Sequence, residues 1–270
     1  METNPLVSII IPVYNAEPYI DECIRSAQKQ DYPNTEIIII DDASTDESVQ
    51  HIIQYSGITV LKNENNLGEC KTCSIGYAHA KGTYLCRLTG DDAFVNSNHI
   101  SIQVAEMEKK NLDWCYNNIS LIGDTTTDAV ETYTSWVPLP LKYSPRWFWI
   151  FDNLFLKFPN ICYLILGLRG PMNTNAVMIR ASSYHKYLTW YNQYGTYCDH
   201  IIYEGLFLHK LKGRAIHSMG AFWRVHPNQN TQSSRGKEVL KKLRLEMYSE
   251  NKNFPFWMRI ACRFLKRRVQ

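Results

Sequence analysis

The chain has 270 residues, 45% hydrophobic and 20% charged, a globular composition that excludes a disordered or fibrous chain and allows one large α/β domain or two fused lobes. The net charge of +3 hides an asymmetry, because residues 235–270 hold 11 Lys+Arg and 3 Asp+Glu while the remainder holds 18 and 23. Positive charge confined to a tail excludes a nucleic-acid-binding body and points to one localised anionic contact.

In chain order, Val7-Ser-Ile-Ile-Ile11 is a β-branched run ended by Pro12. From Glu17 to Gln30, Ile20, Cys23, Ile24 and Ala27 fall at i, i+3, i+4 and i+7, which predicts an amphipathic helix. Ile37 to Ile40 lacks alternation, as expected of a parallel strand covered on both faces. Ser44-Thr-Asp-Glu47 has the form of a capping box opening a helix with Val49, Ile52 and Ile53 on its apolar face. A third strand is expected at 58–61, a third helix at 69–81 and a fourth strand at 83–88. Beyond residue 111 the spacing predicts a strand at 113–120, a polar loop at 125–133, an aromatic stretch at 136–168, a strand at 175–180 and a helix at 200–212.

Strands alternating with helices imply right-handed crossovers and an α/β, doubly wound, mostly parallel sheet with helices on both faces. In such sheets ligands bind beyond the carboxyl ends of the strands. The polar segments that converge there are Pro12-Val-Tyr14-Asn15, Asp41-Asp42-Ala-Ser44 and Thr89-Gly-Asp91-Asp92. Adjacent carboxylates at a strand end suit a hard divalent cation, and also suit an ordinary turn. Asp42 has the same two readings, a hydrogen-bond acceptor for a ligand or a support for Ser44.

The eight cysteines are scattered, several in apolar runs, as expected of free buried thiols in a reducing compartment. Cys70-x-x-Cys73 has no second pair at zinc spacing and reads as helix packing. The longest apolar stretch, residues 161–168, falls short of the roughly 20 residues a bilayer-spanning helix needs. The N-terminus lacks the basic region of a signal peptide, so a cytoplasmic location is expected.

Taken together, residues 7–15, Ile37 to Asp46, Asn65-Asn-Leu-Gly68, Ala80-Lys-Gly82 and Leu88-Thr-Gly-Asp-Asp92 resemble, in order and spacing, the inverting glycosyltransferase family 2 with its GT-A fold, of the kind that builds bacterial surface polysaccharide. The resemblance covers residues 5 to about 100 closely and continues more weakly to about 230. It implies a nucleotide-sugar-binding half at 1–110, an acceptor-binding half at 111–234 and a basic amphipathic helical tail at 235–270. It implies that Pro12, Tyr14 and Asn15 shape the nucleotide pocket, that Asp42 contacts a base, typically uracil, and that Lys71 and Asp91 meet the nucleotide or its diphosphate. Asp91 and Asp92 match the end of the family's acidic metal motif for Mg²⁺ or Mn²⁺, with Thr89 where its leading Asp stands, and His226 matches a closing segment that faces the diphosphate or metal. A second-half Asp acts as general base in this family. Asp199 matches it, with Cys198 in place of the usual Glu, and Glu204 stands in reserve. A helix cap is the structural alternative for Asp199.

The tail places Trp257, Ile260, Ala261, Phe264 and Leu265 on one face and Arg259, Arg263, Lys266 and Arg267 on the other. That pattern suits a helix lying on an anionic membrane surface at the inner face of the cell membrane, and equally a docked C-terminal helix. The expected activity is metal-dependent transfer from a nucleotide sugar, a UDP-sugar by resemblance, to a saccharide or polyprenyl-diphosphate-linked acceptor. Two alternatives are a sugar-phosphate nucleotidyltransferase, which wants a Gly-rich basic first loop that Pro12 to Asn15 is not, and a non-catalytic sugar-nucleotide or glycan-binding protein.

Overall fold

Strand β1 (Val7–Val13) is buried at every position and lies between β2 (Thr35–Asp41) and β4 (Tyr84–Arg87), pairing in parallel with both. This computed structural model describes residues 4–122, 129–133, 175, 177–188, 202, 205–206 and 209–226. Strand β3 (Ile58–Lys62) extends the parallel half at one edge, in the order β3-β2-β1-β4. The burial of β1 and of Ile37 to Ile40 on both faces explains their unbroken β-branched composition.

Helix α1 (Ile20–Gln28) buries the four residues that its periodicity singles out. Helix α2 (Ser48–Ile52) is a short turn. Helix α3 (Glu69–His79) buries Cys70 and Cys73 on one face, as ordinary packing. Its Gly76 sits against the sheet, where a Cβ would lie 2.6 Å from Ile10 Cγ2 and from Ile40 Cδ1.

Beyond β4 the sheet becomes mixed. Strand β8 (Val177–Arg180) pairs antiparallel with β4 and with β6 (Trp114–Ile122). Strand β9 (Gly213–Arg224) runs parallel to β6 and pairs antiparallel with β5 (Ala93–Phe94). Strand β7 (Ala129–Tyr133) pairs antiparallel with β6, giving nine strands among the described residues. The described residues belong to a unit spanning 1–224, except Val225 and His226, which begin a second unit, 225–270.

The structure departs from the sequence reading at several places. Strand β1 continues through Pro12 to Val13. The β1–β4 register ends at Ile10 and Arg87, which suits the missing N–H of Pro12 on the β4 side. Ser44 caps no helix: α2 begins at Ser48, whose N–H is accepted by Asp46 Oδ1 at 3.0 Å, and Ser44 Oγ turns to Asn15. Residues 129–133, read as loop, form β7. Helix α4 (His99–Lys110), helix α5 (Ala181–Tyr187) and the twelve-residue β9 were not read from the sequence. Of the helix expected over 200–212, Ile202, Gly205 and Leu206 are helical, and Lys210 at φ 52° precedes the start of β9. The aromatic stretch at 136–168 and the tail at 235–270 lie outside the described residues. No helix among the described residues is long and apolar enough to cross a membrane.

Candidate active site

The carboxyl ends of β1, β2 and β4 carry the three polar segments into one crevice, each held by hydrogen bonds to another. Asn15 has a left-handed backbone (φ 50°) and gives its N–H to Ser44 Oγ at 3.0 Å. Its Oδ1 accepts the Thr45 N–H at 2.8 Å. Ala16 N–H donates to Ser48 Oγ at 2.9 Å and Glu17 N–H to Asp46 Oδ2 at 3.1 Å. The side chain of Asn15 therefore works as scaffold for the β2 loop. Tyr14 is 49% exposed and presents its ring at the mouth, while Pro12 contributes its carbonyl, which accepts the Gly90 N–H at 3.2 Å.

Asp42 is buried and its carboxylate is largely spent on its own chain. Oδ1 accepts Asn63 Nδ2 and the Leu67 N–H, both at 2.8 Å, and Oδ2 accepts the Gly68 N–H at 2.9 Å. It fastens the Asn65–Gly68 loop to the sheet and delivers the chain into α3. Gly68, at φ 83°, makes the turn. Asp41, to which the sequence reading gave no separate role, accepts the Ser44 N–H on Oδ1 at 3.1 Å and keeps Oδ2 buried without a partner among the described residues. Lys71 is exposed in the first turn of α3.

The acidic turn after β4 separates two carboxylates that are equivalent in sequence. Asp92 is 3% exposed, and both of its oxygens are engaged. Oδ1 accepts the Arg224 N–H at 2.7 Å and Oδ2 accepts Asn175 Nδ2. Burial first, and then the charge of Asp91, hold its carboxyl well above the usual carboxylate range. Asp91 is half-buried, and its backbone carbonyl accepts Arg224 Nε at 3.0 Å. Gly90 allows the close approach: a Cβ there would lie 3.1 Å from Val13 Cγ2 and 3.3 Å from Pro12 O.

Thr89 stands at the head of the turn. Its N–H and Oγ1 both donate to Asn175 Oδ1, at 2.9 and 2.6 Å, and its Oγ1 accepts Arg87 Nη2 at 3.4 Å. Arg87, buried under the crevice, pairs with Glu69 at the start of α3. Arg224 pairs with Glu22 at 2.6 Å and stacks 4.9 Å above the Tyr19 ring. The turn is thereby tied to α3 on one side and α1 on the other. Cys23 Sγ adds a bond to Thr89 O at 3.4 Å, and burial pushes its thiol up.

This donor set fits a hard divalent cation only in part. The less buried carboxylate of the turn is that of Asp91, and Mg²⁺ or Mn²⁺ commonly takes one or two carboxylates together with phosphate oxygens and water. Asp92, paired with Asp91 as a metal ligand in the sequence reading, has both oxygens engaged by Arg224 and Asn175 and supports the turn. The separate group Glu17, Glu47 and His51, whose ligand atoms lie within 4.8 Å of one another, is occupied by local bonds, Glu17 Oε2 accepting the Glu47 N–H and His51 Nδ1 facing Asp21 Oδ2 at 3.2 Å.

Asp199 and Glu204 lie outside the described residues, and His226 belongs to the second unit. The residues that sequence reading missed are Asn175, Arg224, Arg87 and Glu69. Nothing local marks them, since Asn175 and Arg224 reach the turn across 83 and 132 positions.

A parallel half whose strand ends carry an acidic turn, extended by a mixed half that braces the turn, defines a glycosyltransferase fold of the GT-A type. The family model described as Glycosyl transferase family 2 matches residues 8–170, and the chain belongs to that family. Over 203 residues it is 32% identical to an uncharacterised glycosyltransferase of Haemophilus influenzae, covering 74% of this chain and 59% of the relative. Over 241 residues it is 30% identical to the Escherichia coli UDP-Glc:alpha-D-GlcNAc-diphosphoundecaprenol beta-1,3-glucosyltransferase WfaP, covering 88% of this chain and 84% of that one. The crystal structure of S. aureus TarS 1-349 in complex with UDP-GlcNAc shares the fold, with a TM-score of 0.64 at 16% identity over 97% of this chain and 71% of that one. Against several curated relatives the chain spans about half their length, 59, 39 and 48%.

Proposed function

We propose that the chain is a metal-dependent inverting glycosyltransferase that moves a sugar from a UDP-linked donor to a saccharide carried on a polyprenyl diphosphate, in the assembly of a bacterial surface polysaccharide. The observation that carries this reading is the presentation of Asp91 at the carboxyl ends of the parallel strands, on a turn whose second carboxylate is buried and tied down. The donor and acceptor classes are supported by the WfaP relative, whose name gives UDP-Glc and a diphosphoundecaprenol-linked acceptor. The UDP-GlcNAc complex of TarS supports the same nucleotide.

Asp91 would hold a divalent cation, which when bound would supply Lewis-acid stabilisation of the charge that develops on the departing diphosphate. Tyr14 offers a face to the nucleotide, and Asp41 Oδ2 offers an acceptor for a base N–H beside the loop that Asp42 holds. Lys71 contributes positive charge toward the diphosphate, and His226 is assigned a contact to the diphosphate or metal by resemblance alone. Asp199 takes the proton of the acceptor hydroxyl, which attacks the anomeric carbon from the face opposite the nucleotide, so one displacement inverts the centre. Residues 1–110 serve the donor and 111–234 the acceptor. The basic tail at 235–270 rests on the anionic inner leaflet, close to a lipid-linked acceptor.

The test pairs binding with turnover. UDP-, GDP-, dTDP- and CMP-sugars are compared for the thermal midpoint with and without Mn²⁺, since a ligand at 100 times its Kd stabilises by about 2.7 kcal/mol. Only UDP-sugars with Mn²⁺ should give the full shift. Asp199→Asn should keep that shift and lose transfer to a polyprenyl-diphosphate-linked saccharide. A shift with no turnover in the wild type would make the chain a sugar-nucleotide-binding protein, and no shift with any nucleotide would refute the reading.

A further inference from the structure

The turn that presents Asp91 is the centre of a continuous chain of hydrogen bonds. Glu69 accepts from Arg87, Arg87 donates to Thr89 Oγ1, Thr89 donates to Asn175 Oδ1, Asn175 Nδ2 donates to Asp92 Oδ2, and Arg224 donates to Asp92 Oδ1 and to Glu22. The donor and acceptor roles in the middle of this chain follow from the groups present. A guanidinium only donates, so the Thr89 hydroxyl accepts from Arg87, and its oxygen lies 2.6 Å from Asn175 Oδ1, with the Asp92 carboxylate also within reach of its one proton. The Thr89 backbone N–H also only donates, so the amide atom that faces it at 2.9 Å is the oxygen. With Oδ1 fixed toward Thr89, Nδ2 is the atom turned to Asp92.

Asn175 thus bridges both ends of the four-residue turn, gripping Thr89 by two bonds and Asp92 by one, from a position 1% exposed. The residue between those grips that reaches the crevice is Asp91. We propose that Asn175 is a positioning residue that sets the geometry of Asp91, and that it works through the hydroxyl of Thr89, so that Thr89 is the matched partner of Asn175. A carboxylate at position 89 would bring a group with no proton against Asn175 Oδ1. To satisfy it the amide would have to turn over, and Asp92 Oδ2 would then lose the N–H donor that Asn175 gives it. The departure from the family's Asp–x–Asp pattern at Thr89 is therefore compensated in the second half of the chain, at a residue far away in sequence.

This inference rests on the reading of Asp91 as the carboxylate that meets the metal–diphosphate, and the experiment separates the two. The affinity for UDP is measured by calorimetry with and without Mn²⁺, and the ratio of the two affinities is the readout. Wild type should bind UDP about tenfold or more tightly with Mn²⁺, and Asp91→Asn should abolish that gain. Asn175→Ala and the near-isosteric Thr89→Val should lose most of the gain while binding UDP without metal as wild type does. Thr89→Ser, which keeps the hydroxyl, should restore it, and Thr89→Asp should not. Thr89→Val guards against a simple folding failure of Asn175→Ala, because it removes one hydroxyl and no volume. If Asn175→Ala and Thr89→Val keep the wild-type ratio, or lower both affinities alike, Asn175 is structural only and the proposal falls. If the wild type shows no Mn²⁺ gain, or Asp91→Asn retains it, the reading of Asp91 falls and takes this inference with it.

Discussion

Asp42 offers a test in which loop support and base recognition give different answers. In Asp42→Asn the side chain keeps its shape and one oxygen, which continues to accept Asn63 Nδ2 and the Leu67 N–H at the 2.8 Å positions. The new NH₂ then replaces Oδ2 and meets the Gly68 N–H at 2.9 Å, donor against donor, at a site 4% exposed. One charge-assisted bond is lost and a buried N–H is left without an acceptor, which costs about 2 kcal/mol. For a domain of this size that lowers the thermal midpoint by roughly 4–8 °C. The assay is a thermal melt without ligand, followed by calorimetric comparison of UDP with GDP. If Asp42 supports the loop, the unliganded midpoint falls, and the affinities for UDP and GDP change together because the base is not read by this carboxylate. A midpoint unchanged within a degree, with loss of UDP affinity alone, would refute the scaffold argument and return Asp42 to the base.

Two further expectations follow from other parts of the chain. His99 is buried at the start of α4, its ring 4.8 Å from that of Phe94, and burial alone holds its pKa at about 3 against an ordinary 6.5. The folded state keeps it neutral while the unfolded chain protonates below pH 6.5, so its contribution is complete above that pH and is lost as pH falls toward 3. By pH 5 the loss is about 2 kcal/mol. Urea unfolding should therefore show wild type losing about 2 kcal/mol relative to His99→Leu from pH 7 to pH 5, and parallel curves would show that the imidazole is not held neutral. Deletion of residues 254–270 removes five of the tail's basic residues with its apolar face. The shortened chain should leave liposomes containing anionic lipid and remain in the supernatant on flotation. Equal binding by both forms would place the docked-helix reading ahead of the membrane one.

The succession of strands and helices through residue 88 was legible in the sequence because hydrophobic periodicity is a local property. Ile20, Cys23, Ile24 and Ala27 share a face whatever they pack against, and four isoleucines in a row already require cover on both sides. The second half was less legible. Helix α4 carries its pattern in Ile100, Gln103, Val104 and Met107, with a polar residue among the buried set. Strand β9 is interrupted by glycines and a serine, and its register against β6 shifts at Asn117 and Asn118. Strand β7 is polar enough to read as loop and becomes a strand only by pairing with β6.

At the site the sequence determined which residues lie at the strand ends and left two neighbouring aspartates indistinguishable. Burial decided between them. Arg224 and Asn175, distant along the chain, consume both oxygens of Asp92 and leave Asp91 facing the crevice. The same is true of Asn15 and Asp42, whose types and positions were plain but whose hydrogen-bonding capacity is taken up by loops from other strands. Sequence fixes the chemical identity of a donor or acceptor. Whether that capacity remains for a ligand depends on what else the fold brings within 3 Å.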